Sequence, residues 1–218
     1  ASPSHPTTLV FSPVPDPLAE DPEAAAAEAL SPSRQVELVG TTAPRALARF
    51  QNGYADAVIG GRFQDLPYFD VMDISQSRRI FDPASGLFGL SFQKADGFLA
   101  EPAHRAAISS LIRRDRIIAA FNAKPWAEQS SLRPAPLPNS NLPAPVVPEW
   151  QAVDDAARVA RAQRLIAQYD GGPIAPIRIA LPDGPGSTIL FAYLAADLKR
   201  AGLQVERADA AQADLLLI

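Results

Sequence analysis

Residues 87–121 read LFGLSFQKADGFLAEPAHRAAISSLIRRDRIIAAF, and their order of apolar and breaking residues admits few folds. Leu87–Phe92 is a short apolar run of strand length, closed by a polar break at Gln93–Gly97. Pro102 then starts a helix, where its fixed φ is pre-organised and its missing N–H costs nothing. Ile108, Leu111 and Ile112 share one face of that helix, and Ile118 and Phe121 extend the stripe through a second short helix. A strand feeding one-sided helices buries those faces by layering helices on a sheet.

The other segments alternate in the same way. Leu9–Phe11 reads as a strand stopped by Pro13, Pro15 and Pro17, and Asp21–Leu30 as an alanine-rich helix with Pro22 in its first turn. Val36–Val39 reads as a strand, Pro44–Gln51 as a helix capped by Thr42 and closed by Gly53, and Asp56–Ile59 as a third strand. That strand–helix–strand order predicts parallel flanking strands. A turn of helix is expected near Leu66, and a short strand at Arg79–Phe81 before the Asp82-Pro83 turn. Beyond residue 150 the pattern predicts a helix from Asp154 or Asp155 to Gln168 and a strand at Ile177–Leu181. A helix with Leu190, Leu194 and Leu198 on one face follows, ended by Gly202, then strands at Leu203–Glu206 and Leu215–Ile218.

Lys124–Trp150 carries prolines at 125, 134, 136, 138, 143, 145 and 148, which exclude a helix or a central strand. Trp126, Leu132, Leu137, Leu142, Val146, Val147 and Trp150 give the stretch apolar anchors that a free linker does not need. An ordered loop wrapped over the domain is therefore expected at 124–150.

The chain has 218 residues, 47% of them hydrophobic, enough for one large domain with a packed core. Its net charge of −4 argues against a nucleic-acid partner, whose surface calls for a basic excess. Cysteine is absent, which excludes disulfides, thiolate nucleophiles and cysteine metal sites. No apolar run reaches membrane-span length, and Ala1–Pro6 lacks the basic start and apolar stretch of a signal peptide. The apolar run Leu215–Ile218, with no cap after it, reads as a strand cut within a longer protein.

Four features bear on chemistry. Ser91-Phe92-Gln93-Lys94 matches the Ser-x-x-Lys of serine acyltransferases, in which the serine opens a helix so that the lysine one turn on can take its proton. Here the serine lies in a strand-like run, and neither Ser-Asp-Asn nor Lys-Thr-Gly follows. His5 and His104, the only histidines, are far apart and belong to no ligand-spaced cluster, so no metal site is expected and His104 reads as a surface or packing residue. Arg113, Arg114 and Arg116, and later Arg158, Arg161 and Arg164, read as solvated faces of an acidic chain. Pro182-Asp183-Gly184-Pro185-Gly186-Ser187 follows a strand and precedes a helix, where free N–H groups can hold a carboxylate or phosphate and glycine admits a close backbone approach. The plainer reading of that segment is a βα turn with Ser187 as cap; no P-loop lysine follows.

Several segments occur in a collinear order that resembles one family. They are the helix and turn Arg45–Asp56 with its Gly-x-x-Asp, the strand Leu90–Gln93, the Pro-started segment Phe98–Ile118, the proline-rich loop, the helix Val153–Ala167, and Ile177–Val205 closing on Ala-Gly-Leu-Gln-Val-Glu. Together these resemble the large solute-binding proteins of ABC importers, the peptide and nickel class, over most of Val36–Ile218. Gln93 stands where that family carries asparagine, Glu101 where it carries aspartate, and Arg113 where it carries the aspartate of an Ile-Asp-Arg turn. The last change removes a helix cap and reverses a charge.

The resemblance implies an α/β fold, a periplasmic-binding-protein-like lobe with a mixed, mostly parallel sheet flanked by helices. It places residues 1–218 in the second of two lobes that close on ligand like a hinged trap, incomplete at both ends, with the first lobe missing. The implied function is capture of peptides or similar small polar solutes for the importer's membrane subunits, in the periplasm or at the cell surface, with no cofactor and no reaction. Ligand contacts are expected at Phe92, Gln93, Asp183, Gly184 and Ser187. Two other functions fit the residues less well: a sensing lobe of a transcription regulator, and a serine hydrolase using Ser91 and Lys94.

Overall fold

The computed structural model of the chain describes residues 7–11, 34–81, 87–123, 125–131 and 145–218. These fall into two units, Ala1–Ile59 and Gly60–Ile218. In the first, β1 (Thr7–Phe11) and β2 (Arg34–Leu38) pair antiparallel, with Leu9 opposite Val36. Helix α1 (Ala43–Gln51) follows, started by Pro44, and Leu47 is its buried residue. Thr42 occupies the cap position with extended backbone, yet its side chain makes no capping hydrogen bond. Asn52 donates to the Ala48 carbonyl instead, and Gly53 turns the chain at φ 75°.

The expected parallel strand–helix–strand arrangement does not form. Asp56–Ile59 is no strand, and Val58 and Ile59 are exposed. An apolar β-branched run becomes a strand only where another strand edge takes up its N–H and C=O groups, and β2 pairs with β1. The helix expected at Asp21–Leu30 lies outside the described residues.

The second unit is built on a four-stranded sheet in the order β3-β6-β4-β5. Its strands are β3 (Leu90–Phe92), β4 (Ile177–Ala180), β5 (Val205–Arg207) and β6 (Leu215–Leu217). β4 pairs parallel with both β5 and β6, and β3 pairs antiparallel with β6, so the sheet is mixed and mostly parallel. Around it run α2 (Pro67–Val71), α3 (Pro102–Leu111), α4 (Arg114–Phe121), α5 (Asp155–Ala167) and α6 (Pro185–Lys199). Helix α6 is the crossover from β4 to β5. Its Leu190, Leu194 and Leu198, spaced one turn apart, are buried together against Ile177, Ile179 and Leu215 of the sheet and Ile108 and Leu111 of α3.

Among the described residues no helix is long and apolar enough to cross a membrane. Asp154 caps α5, its carboxylate accepting from the Ala157 N–H at 2.8 Å. The turn expected near Leu66 is a 3₁₀ turn, Phe63–Asp65, running into α2. Arg79–Phe81 forms no strand; the Arg79 guanidinium turns back to the Ile74 carbonyl and to Asp70, leaving Ile80 95% exposed. In α4 the buried stripe runs through Ile117 and Phe121 rather than Ile118, because the break at Ile112–Arg113 resets the helical phase. Of the proline-rich loop, Trp126 packs against the core while Val146 and Val147 are exposed; Leu132, Leu137 and Leu142 lie outside the described residues.

Of the arginines expected on solvated faces, Arg113, Arg114 and Arg158 are half-buried and Arg116 is exposed. Arg161 and Arg164 are exposed as expected. Arg114 donates to the Ser109 and Ile112 carbonyls at the end of α3, and both Arg114 and Arg158 lie over the Trp150 ring. Burial holds the Arg114 guanidinium below its ordinary value. Arg113, at the start of α4, donates its backbone N–H (2.8 Å) and its Nε (2.7 Å) to Asp197 of α6. A carboxylate therefore still meets the first turn of α4, supplied from another helix. His104 is buried, stacked on Phe98 at 4.2 Å with Nδ1 2.7 Å from the Phe98 carbonyl oxygen.

Candidate functional site

In an open parallel sheet, ligands settle outside the carboxyl ends of the strands, where neighbouring connections diverge. That divergence falls between β4 and β6, since the chain leaves β4 for β5 on one side and returns to β6 on the other. The carboxyl edge here carries Leu181–Gly184 after β4, Arg207 at the end of β5, Ile218 after β6, and Leu87–Phe88 before the antiparallel β3. Gly89 and Ile218 exchange both backbone hydrogen bonds, at 3.1 and 2.9 Å, which fixes Phe88 at this edge.

Phe88 belongs to a ring cluster. Its ring centroid lies 4.9 Å from Phe63 and 5.2 Å from Trp126, and Phe121 closes the group at 6.2 Å from Phe63 and 5.9 Å from Trp126. Phe88 is 40% exposed, so the cluster presents an open aromatic face. Arg207 braces the far side of the edge. It donates to the Leu181 carbonyl at 3.0 Å, reaches Asp183 at 3.9 Å, and lies over the Phe191 ring.

The two glycines that open α6 are approached closely by the chain itself, Gly186 by backbone and Gly184 by the Gln64 side chain. A Cβ on Gly186 would stand 2.5 Å from the Phe63 carbonyl oxygen and 2.6 Å from Gln64 Cα, and one on Gly184 would stand 2.8 Å from Gln64 Cβ. Gly184 also has φ 142°, a conformation side chains avoid. Ser187, on the same turn, is fully buried, and among the described residues its Oγ has no hydrogen-bond partner; neither has the buried Gln64 Oε1. Each unsatisfied polar atom costs about 1–3 kcal/mol.

The register separates the sequence-derived residues into two groups. Asp183, Gly184 and Ser187 share the carboxyl edge. Phe92 and Gln93 sit at the other end of the sheet, because Phe92 pairs with Leu215 at the amino end of β6 and Gln93 donates to the Asp214 carbonyl. About 10 Å of strand lies between the groups. Gln93 is exposed and donates to Ser91, while Phe92 packs against the core. Reasoning from sequence did not single out Phe63, Gln64 and Phe88. The available signal was Gly-x-Gly at 184–186, which announced a close backbone neighbour without naming it.

Ser91 lies within β3 rather than at a helix start. Lys94 is held elsewhere, donating to the Gln212 carbonyl at 3.2 Å and facing Asp214 at 3.7 Å. The lysine is thus engaged away from the serine. Among the described residues no cluster of histidine and carboxylate ligands could hold a metal.

At the amino edge a 410 Å³ cavity is lined by Asp96, Phe98, Tyr169, Arg178, Glu206 and Asp214, among others. Its polar centre is already satisfied: Arg178 donates its backbone N–H (2.9 Å) and Nη2 (2.8 Å) to Asp214. Burial works to raise the Asp214 carboxyl, but the Arg178 hydrogen bonds and the Arg178 and Lys94 charges outweigh it and hold it low. Asp155 is held low as well, chiefly by its hydrogen bond from Arg200. A depressed carboxyl lends stability that is present above the unfolded value, about 3.9, and is lost as pH falls through the lower folded value. Thermal melts followed by circular dichroism should therefore be flat from about pH 7 to 5 and fall below about pH 4, and Asp214→Asn should shrink that fall.

No protein-family model matches the chain, and no curated protein does. Solved structures do. OppA of Burkholderia pseudomallei superposes with a TM-score of 0.60 at 15% identity, over 85% of this chain and 39% of that one. NikA from Brucella suis, solved in complex with Fe(III)-EDTA, superposes with a TM-score of 0.57 at 16% identity, over 88% of this chain and 43% of that one. The chain thus spans about two fifths of the length of either structure. With a mixed sheet, an α6 crossover and a switch point between β4 and β6, it has a periplasmic-binding-protein fold.

Proposed function

We propose that the chain is part of the solute-binding component of an ABC importer and contributes one wall of a cleft for peptides or similar small polar solutes. The observation that carries this reading is the open carboxyl edge, where an aromatic face at Phe63, Phe88 and Trp126 adjoins the amino end of α6. A peptide needs both kinds of surface: apolar walls for side chains and oriented polar groups for its termini. The ligand wall is formed by Phe88, Asp183 and Gly184, with Ser187 buried beneath it and Phe92 and Gln93 positioning β3 from the opposite edge. A second lobe supplies the facing wall, and the importer's membrane subunits receive the solute, at the periplasmic face or the cell surface. The chain binds and releases; it makes and breaks no bond of the ligand.

A pool of di- to hexapeptides at about 100 times the dissociation constant should stabilise the two-lobed protein by about 2.7 kcal/mol, read as a rise in Tm. Gly184→Trp should abolish the rise, because its side chain would project into Gln64 and the open edge. If the peptide-dependent rise persists in Gly184→Trp, the β4–α6 turn is not part of the site. If no peptide raises Tm in the unsubstituted protein, peptide capture is wrong.

A further inference from the structure

We propose that a cavity at the junction of α3 and α4, separate from the carboxyl edge, binds a phosphate group between the guanidinium groups of Arg114 and Arg158. The cavity, of about 240 Å³, is lined by Arg113 and Arg114 where α3 passes into α4, by Trp150 of the 3₁₀ turn Glu149–Ala152, and by Arg158 in the first turn of α5. The sequence spreads these arginines over distant segments, and the fold gathers them around one space. Only Arg113 has a close carboxylate of its own, Asp197. Arg114 donates to the Ser109 and Ile112 carbonyls and to the Ser109 hydroxyl, all of them neutral. Arg158 Nε is buried with no acceptor among the described residues. Its Nη2 stands 3.6 Å from Asp155, a carboxylate that Arg200 already engages with both Nη atoms.

Gathering these two cations is unfavourable without an anion. Burial works against the Arg114 charge, Glu128 favours it, and the neighbouring Arg158 opposes it. Both guanidinium groups lie over the Trp150 ring, at 5.1 and 5.9 Å from its centroid, and the ring face offsets part of the cost. Asp115 and Glu128 also line the cavity, but both are exposed. Among the described residues neither comes within ion-pair distance of Arg114 or Arg158. A phosphate group brings more than one negative charge and three strong acceptor oxygens, enough to meet two guanidinium forks at once; a single carboxylate meets one. The walls are already set. Ser130 Oγ donates to Gln151 Oε1 at 3.0 Å, tying residues 125–131 to the Glu149–Ala152 turn beside the cavity.

The test compares phosphate with chloride at equal ionic strength and pH 7. Inorganic phosphate at about 10 times its dissociation constant should raise the Tm of the unsubstituted protein by about 3–6 °C. Phosphate also strengthens burial in any protein, so the deciding quantity is the difference from Arg158→Gln, in which most of the rise should disappear. An equal rise in Arg158→Gln overturns the proposal. Glu128→Gln, an exposed change that removes a competing charge, should enlarge the rise, and an unchanged or smaller rise there also overturns it. Should Arg158→Gln fail to fold, Glu128→Gln decides alone. Acetate should give no Arg158-dependent rise; one equal to that of phosphate overturns the assignment of two guanidinium forks to one anion. Glycerol phosphate run beside inorganic phosphate separates the sources. Matching rises place a phosphate ester in the site, a rise with inorganic phosphate alone places the free ion there, and a rise with neither overturns the proposal.

Discussion

Replacing Asp197 with alanine is expected to cost about 3–5 kcal/mol, the largest loss from any single polar side chain here. Asp197 is 1% exposed. Its carboxylate takes the Arg113 backbone N–H at 2.8 Å and the guanidinium at 2.6 and 2.7 Å, and Arg200 stands 3.9 Å away. Without it, the half-buried Arg113 guanidinium and the Arg113 N–H just ahead of α4 lose their acceptor together, and an uncompensated buried charge costs more than the pair contributed. For a chain of this size the loss corresponds to a fall in Tm of about 10 °C. Urea unfolding measures it directly. Replacing both residues, Arg113→Leu with Asp197→Leu, should recover most of the loss, because removing the pair leaves no orphan charge. A loss below about 1 kcal/mol in Asp197→Ala would show that the pair is as weak as an exposed one.

Gly186→Ala should destabilise by about 1–3 kcal/mol, although alanine is the better helix former. In α6 alone the substitution is favourable, as the glycine lies in an ordinary helical turn. The added Cβ, however, would meet the Phe63 carbonyl oxygen at 2.5 Å and Gln64 Cα at 2.6 Å. Both are backbone, so relief requires the whole 3₁₀ turn to move rather than one side chain to rotate. Phe63 moves with it, and Trp126 loses part of its aromatic surroundings. A red-shifted Trp126 emission in a Trp150→Phe background, together with lowered stability, is the expected result. A Tm equal to or above that of the unsubstituted chain would mean that the turn yields freely and that Gly186 serves no close approach.

These two positions show where reading the sequence stops. Arg113 stood out because it replaces the carboxylate of a related turn, and the expected loss of a cap was argued from neighbours in the chain. The replacement carboxylate comes from a residue 84 positions away, and no local rule points to it. Gly184 and Gly186 announced that backbone comes close. A ligand and the chain's own Phe63–Gln64 satisfy that requirement equally, so the identity of the visitor was open. Phe92 and Gln93 were grouped with Asp183 because each ends or follows a strand. Which end of the sheet a strand terminus occupies depends on strand direction, and β3 runs against β4.

What the residues alone determined is what short-range physics determines. The start of α3 at Pro102, the Asp154 cap on α5, the Leu190–Leu194–Leu198 face of α6 and the strand at Ile177 each follow from dihedral limits, capping or periodicity within a few positions. Tertiary structure decided the pairings: β2 with β1, Asp56–Ile59 with no strand, Asp197 with Arg113, and Gln64 with the opening of α6. Hydrogen-bond and charge partners are interchangeable in chemistry and differ only in where the fold delivers them, so their choice is made by packing over the whole unit.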